Sequence, residues 1–157
     1  MNMVNLWENA KMISVQTGSD IVGGFDIGFD DKICEETKDA LMDFIYWVED
    51  HYNLPITLWV DFKYKQYMIG SDRKRTGYRF YWVDYENLST FDNFDDIPVI
   101  ELAARCEKQK LDNLLSSFAD AITHYFAWLS GQNMHSFRPD RALTEEILNL
   151  YKNTRGE

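Results

Sequence analysis

The stretch LDNLLSSFADAITHYFAWLSG, residues 111 to 131, most constrains what this 157-residue chain can fold into. Between Asn113 and Gln132 only one side chain carries a formal charge, Asp120, and four residues later comes His124, one of three histidines in the chain. Leu111, Leu114, Leu115, Phe118, Ile122, Tyr125, Phe126 and Leu129 recur at helical spacing, which predicts a helix from about Lys108 to Ser130, stopped by Gly131. The opposite side holds Asn113, Ser116, Asp120, His124 and Ala127, small and polar but almost uncharged. A helix side left in water normally carries Lys and Glu, so this one is expected to be covered by another element or to line a cleft.

The flanking sequence supplies that element. Asp31 can cap a helix in which Leu41, Phe44, Ile45, Val48 and Tyr52 recur, and NLP at 53–55 ends it. The period then changes to two: Ile56, Leu58, Val60 and Phe62 alternate with Thr57, Trp59, Asp61 and Lys63, a strand pattern. GSDRKRTG has turn chemistry, and YRFYWVDY reads as a second strand, so Tyr64 to Tyr85 is expected to form a hairpin. Asp84 to Asp96 reads as an acidic loop. IPVIELAA is a third, short strand whose beginning, at Pro98, has edge character. A last helix is expected from about Asp140 to Tyr151, burying Leu143, Ile147, Leu150 and Tyr151. Near the start, SDIVGGFDIGFDD suggests a loop leading to or from a short strand. The fold class expected is α+β, a small antiparallel sheet of about three strands packed on a long central helix, in one domain over 1–157.

Charge narrows the partners. Sixteen Lys and Arg against 26 Asp and Glu give a formal net charge of −10. Such a field argues against binding phosphate backbones; it suits solubility first, and is compatible with a basic protein partner or with a surface mimicking nucleic acid. The chain shows no apolar run approaching the roughly 20 residues of a bilayer span and no signal-peptide pattern, so a cytoplasmic location and no membrane partner are expected. Cys34 and Cys106 set neither a disulfide framework nor a four-Cys zinc site. DRKR at residues 72 to 75 reads as a solvated turn, with contact to phosphate or an acidic partner as the alternative. Trp59, Tyr78, Tyr81, Trp82 and Tyr85 read as cross-strand pairs and core, with an aromatic binding strip as the alternative.

The order helix, strands, uncharged helix, loop, helix resembles the core of the zincin metallopeptidases over about residues 33–151. In that family an antiparallel edge strand lies over a cleft, and the next helix carries His-Glu-x-x-His. DAITH, residues 120 to 124, stands in that place here. The resemblance implies that Asp120 replaces the first histidine ligand, that Ala121 replaces the catalytic glutamate, and that His124 retains the second ligand. Asp and His both bind zinc, and i, i+4 spacing aims two side chains at one ion. Alanine, however, cannot take a proton from a metal-bound water, and losing a general base typically costs about 10²- to 10⁴-fold in rate.

These residues imply a catalytically inactive zincin-like protein, a pseudo-metallopeptidase with no catalytic residue and no zinc or other cofactor, acting as a binding or regulatory protein. The vestigial site would be Asp120, Ala121 and His124. The alternative is a metal-dependent hydrolase with an Asp/His metal site, for which His135 is the additional ligand to consider, followed by Asp140, Glu145 and Glu146. Without a metal, Asp120 and His124 are expected to hydrogen-bond or pair with each other. His51 reads as a helix C-terminal residue that favours the dipole.

Overall fold

The computed structural model describes residues 24–70, 72–84, 96–105, 107–108, 110–131 and 141–154. In chain order these form β1 (Phe25–Phe29), α1 (Glu35–His51), β2 (Leu58–Lys63), β3 (Met68–Ile69), β4 (Arg75–Thr76), β5 (Tyr78–Asp84), β6 (Asp96–Ala103), α2 (Leu111–Leu129) and α3 (Arg141–Thr154). The architecture is mixed α+β, with three helices and a small sheet among the described residues. No helix among them is long and apolar enough to cross a membrane.

The sheet differs from the antiparallel one expected. It has four strands in the order β1-β2-β6-β5, and β1 pairs with β2, and β2 with β6, in parallel. Only β5 runs antiparallel, as an edge strand beside β6. Two physical causes account for the difference. The segment FDIGF is a full strand, and the helix α1 that follows it returns the chain to the same end, the connection a parallel pair requires. β6 then inserts between β2 and β5, so the hairpin expected over Tyr64 to Tyr85 shrinks to β3 and β4, which pair through Met68–Thr76 and Ile69–Arg75. Ile100 and Leu102 of β6 face the main core, and Val99 and Ala103 on its other face are also buried, although Trp59, Asp61 and Arg79 beside them on that face are exposed. Pro98 is tolerated because β6 meets β2 only from Val99 onward, so its first residues have a neighbour on one side alone.

One face of the sheet carries the main core. Phe118 of α2 meets Phe25 of β1, Phe62 of β2 and Phe44 of α1 edge-on, with ring centroids 5.9, 5.4 and 5.6 Å apart. Two helices and two strands therefore share one aromatic contact point, and burying each such side chain is worth about 1.5–3 kcal/mol. α3 lies over both helices: Arg141 and Thr144 reach α2, and the Tyr151 hydroxyl donates to Asp43 of α1. Tyr125 of α2 fixes the approach to β2, its hydroxyl donating to the Ile56 carbonyl and accepting from the Ile56 N–H. Gly77 lets the start of β5 approach α2, since a Cβ there would lie 2.4 Å from Ser117 Oγ.

Three local expectations are corrected. Cys34, not Asp31, is the N-cap of α1, because the Asp30 side chain accepts from the Lys32 N–H and shapes the preceding turn. Leu150 is 46% exposed, while Thr144 is buried in its place, because α3 turns its Leu143–Ile147–Tyr151 side to α1 and α2. The aromatic strip divides between the two faces of the sheet. Trp59 and Tyr81 share the row of Val99, whereas Tyr78 and Trp82 align with Leu102 and Pro98 on alternate residues of β5. Tyr85 lies outside the described residues.

Candidate functional site

DAITH occupies the middle of α2, where the apolar stripe and the uncharged side together leave little of the helix in water. Ten of its nineteen residues are buried, including Ala119, Ala121, Ile122, Thr123, Tyr125, Phe126 and Ala127. The side read as either covered or cleft-lining is covered at the residues that matter. Two different elements do the covering, one over Asp120 and another over His124.

Asp120 faces α3. Nη1 of Arg141 donates to both of its carboxylate oxygens, at 3.0 and 2.9 Å, and Thr144 Oγ1 donates to Oδ1. Nη2 of the same guanidinium donates to Ser116 Oγ at 3.0 Å, so Arg141 clamps two turns of α2 at once. The Asp120 side chain is 18% exposed and the Arg141 side chain 56%. An ion pair with one partly sheltered member and added hydrogen bonds holds better than a free surface pair, because solvent screens it less.

His124 faces β5 instead. Its ring stacks on Phe80 at 4.7 Å and meets Tyr78 edge-on at 6.1 Å, with Nδ1 and the Tyr78 hydroxyl 3.4 Å apart. Burial lowers its pKa from 6.5 to about 4, so the ring is neutral at physiological pH. Burial, reinforced by the Asp120 charge, raises the Tyr78 phenol, which stays protonated. The mutual pair expected of Asp120 and His124 does not form. Helical spacing puts both on one side, but Arg141 and Thr144 take the carboxylate while the aromatic residues of β5 take the imidazole.

Ala121, at the position of the catalytic glutamate, is fully buried within the main core. Glu145 and Glu146, two residues considered as ligands, are exposed on α3, where Thr144 is the residue turned to Asp120. His135 and Asp140 lie outside the described residues, as does Cys106. His51 ends α1 as expected, with Nδ1 2.8 Å from the Trp47 carbonyl and its ring stacked on Trp47. Among the described residues no three His, Cys, Asp or Glu side chains converge as a metal-binding group would require.

The donor set fits a zinc ion poorly. Both oxygens of Asp120 already face a permanent cation, and a divalent ion would have to displace that guanidinium against like-charge repulsion. Sequence reading missed Arg141 and Thr144. The signal available was an Arg and a Thr three residues apart at the start of the next helix, a spacing that shares one helical side. Comparison with protein-family models, with curated proteins and with solved structures yields no match.

Proposed function

We propose that this chain is a zincin-like protein without peptidase chemistry, acting as a binding or regulatory protein in which the residues matching a metal site serve as a structural joint. The observation that carries the proposal is the commitment of Asp120 to Arg141 and Thr144. A ligand for catalytic zinc must offer free lone pairs and leave an open coordination position for water. Here the carboxylate bridges α2 to α3, and the position that would hold the general base is an alanine within the core. The antiparallel edge strand β5 beside the His124 side of α2 supports the resemblance, because it has the orientation that the zincin pattern requires. The acidic bulk of the chain suits a basic protein partner.

The test is metal content together with activity. Purified without chelator, the protein should hold zinc far below one ion per chain by elemental analysis. Excess zinc should not raise its unfolding temperature, since an ion that binds only the folded state must stabilise it. Stoichiometric zinc lost on His124→Ala, together with chelator-sensitive peptide hydrolysis, would establish the Asp/His hydrolase in its place.

A further inference from the structure

The basic residues of this acidic chain are gathered at one end of the sheet. Residues 63–79 and 103–110 hold nine of the sixteen lysines and arginines but only two of the 26 acidic residues, Asp72 and Glu107. Those 25 residues carry a formal +7, and the remaining 132 carry −17.

The fold brings both stretches together. They are the ends of β2 and β6, the β3–β4 hairpin and the first residues of β5. Backbone bonds from Ala104 N–H to the Lys63 carbonyl (2.8 Å) and from Ala103 N–H to the Gly77 carbonyl (3.0 Å) tie them. Within the hairpin the Gly70 N–H donates to the Lys74 carbonyl, Asp72 accepts from the Lys74 N–H, and Arg73 holds a positive φ of 65°. α2 begins here too, with Lys110 as its N-cap, adding the partial positive charge of a helix start.

Three of the nine cations have carboxylate partners: Lys63 with Asp61, Arg79 with Glu101 and Arg105 with Glu107. Lys65, Arg73, Lys74, Arg75, Lys108 and Lys110 are exposed and make no ion pair among the described residues. Six of the nine cations thus stand outside ion-pair reach of any carboxylate among the described residues.

We propose that this end of the sheet docks a short acidic segment of a partner protein. The inference rests on the reading of the domain as a binding protein, and it is independent of the metal question. Charge complementarity selects an anionic occupant. Two observations favour a peptide over nucleic acid. A guanidinium already lies over one face of each nearby tyrosine ring, Arg75 over Tyr67 at 4.3 Å and Arg105 over Tyr64 at 5.3 Å, so those faces are not free to stack on bases. A long nucleic-acid strand would also meet repulsion from the remaining 132 residues, whose formal charge is −17, which a short acidic peptide held at this end largely avoids.

The experiment titrates the full chain into fluorescein-labelled decaglutamate, read by anisotropy. It is run at about 0.01 M and about 0.15 M ionic strength, where the Debye length is about 30 Å and about 8 Å. Saturable one-to-one binding that weakens with salt is expected. Lys65→Glu combined with Lys74→Glu should weaken it about tenfold or more, as reversing steering charges does. Lys38→Glu with Lys152→Glu, matched in net charge but placed on α1 and α3, should change it less than about twofold. Equal losses in both variants, or no loss in the first, would overturn the proposal. So would tighter binding of decathymidylate, which reassigns the end to nucleic acid, or salt-sensitive self-association, which makes the occupant a second copy. None of these outcomes alters the zinc result, so the two readings fail separately.

Discussion

Acid should destabilise this protein through His124, because burial keeps its ring neutral in the folded state. The folded ring has a pKa of about 4 against 6.5 for an exposed histidine, and burial against Phe80 and Tyr78 is the cause. Between those values the unfolded chain binds a proton that the folded ring refuses, so stability is full above pH 6.5 and falls as pH drops toward 4. The whole shift corresponds to about 3 kcal/mol, of which about 1 kcal/mol is lost between about pH 7 and 5.5 and about 2 kcal/mol by about pH 4.5. Urea unfolding of the wild type and of His124→Phe at these pH values isolates the contribution. Phenylalanine keeps a ring on Phe80 but binds no proton, and the titration of carboxylates is common to both proteins. The wild type should lose about 2 kcal/mol more than the variant on going to about pH 4.5. NMR should place the His124 midpoint well below 6, and Asp120→Asn should leave it in place. A midpoint at or above 6.5, or parallel pH profiles in the two proteins, would refute burial as the cause.

The other predictions concern joints between elements. Asp120→Ala should destabilise by about 1–3 kcal/mol, since it leaves the buried Thr144 hydroxyl without its acceptor, whereas Arg141→Ala should cost less because that side chain is more than half exposed and its ion pair is partly screened. Chemical denaturation of both variants checks the order, and a larger loss for Arg141→Ala would contradict it. Gly77→Ala should cost about 1–3 kcal/mol by forcing β5 off α2, and Ser117→Gly should restore most of that loss; the double-mutant cycle reads the coupling directly. Tyr125→Phe should cost about 1–2 kcal/mol by leaving Ile56 without its buried hydroxyl partner, with an unchanged denaturant slope showing that compactness is retained.

Much of this fold was legible because local spacing sets local structure. The helical repeat of Leu114, Phe118, Ile122 and Tyr125, the stop at Gly131 and the alternation in LWVDF each follow from which side of an element must leave water. The absence of charge around Asp120 likewise foretold that this side of α2 would be covered or line a cleft. Strand partners were not legible, because pairing joins residues far apart in sequence: VIELA carries the same residues whether it borders the sheet or sits between β2 and β5. The site divides in the same way. Helical spacing placed Asp120 and His124 on one side of α2, but it says nothing about what stands opposite. Arg141, 21 residues beyond Asp120, and Phe80, 44 residues before His124, each claimed one member of the pair, since a sheltered carboxylate and a buried imidazole take whichever partners tertiary packing brings within reach.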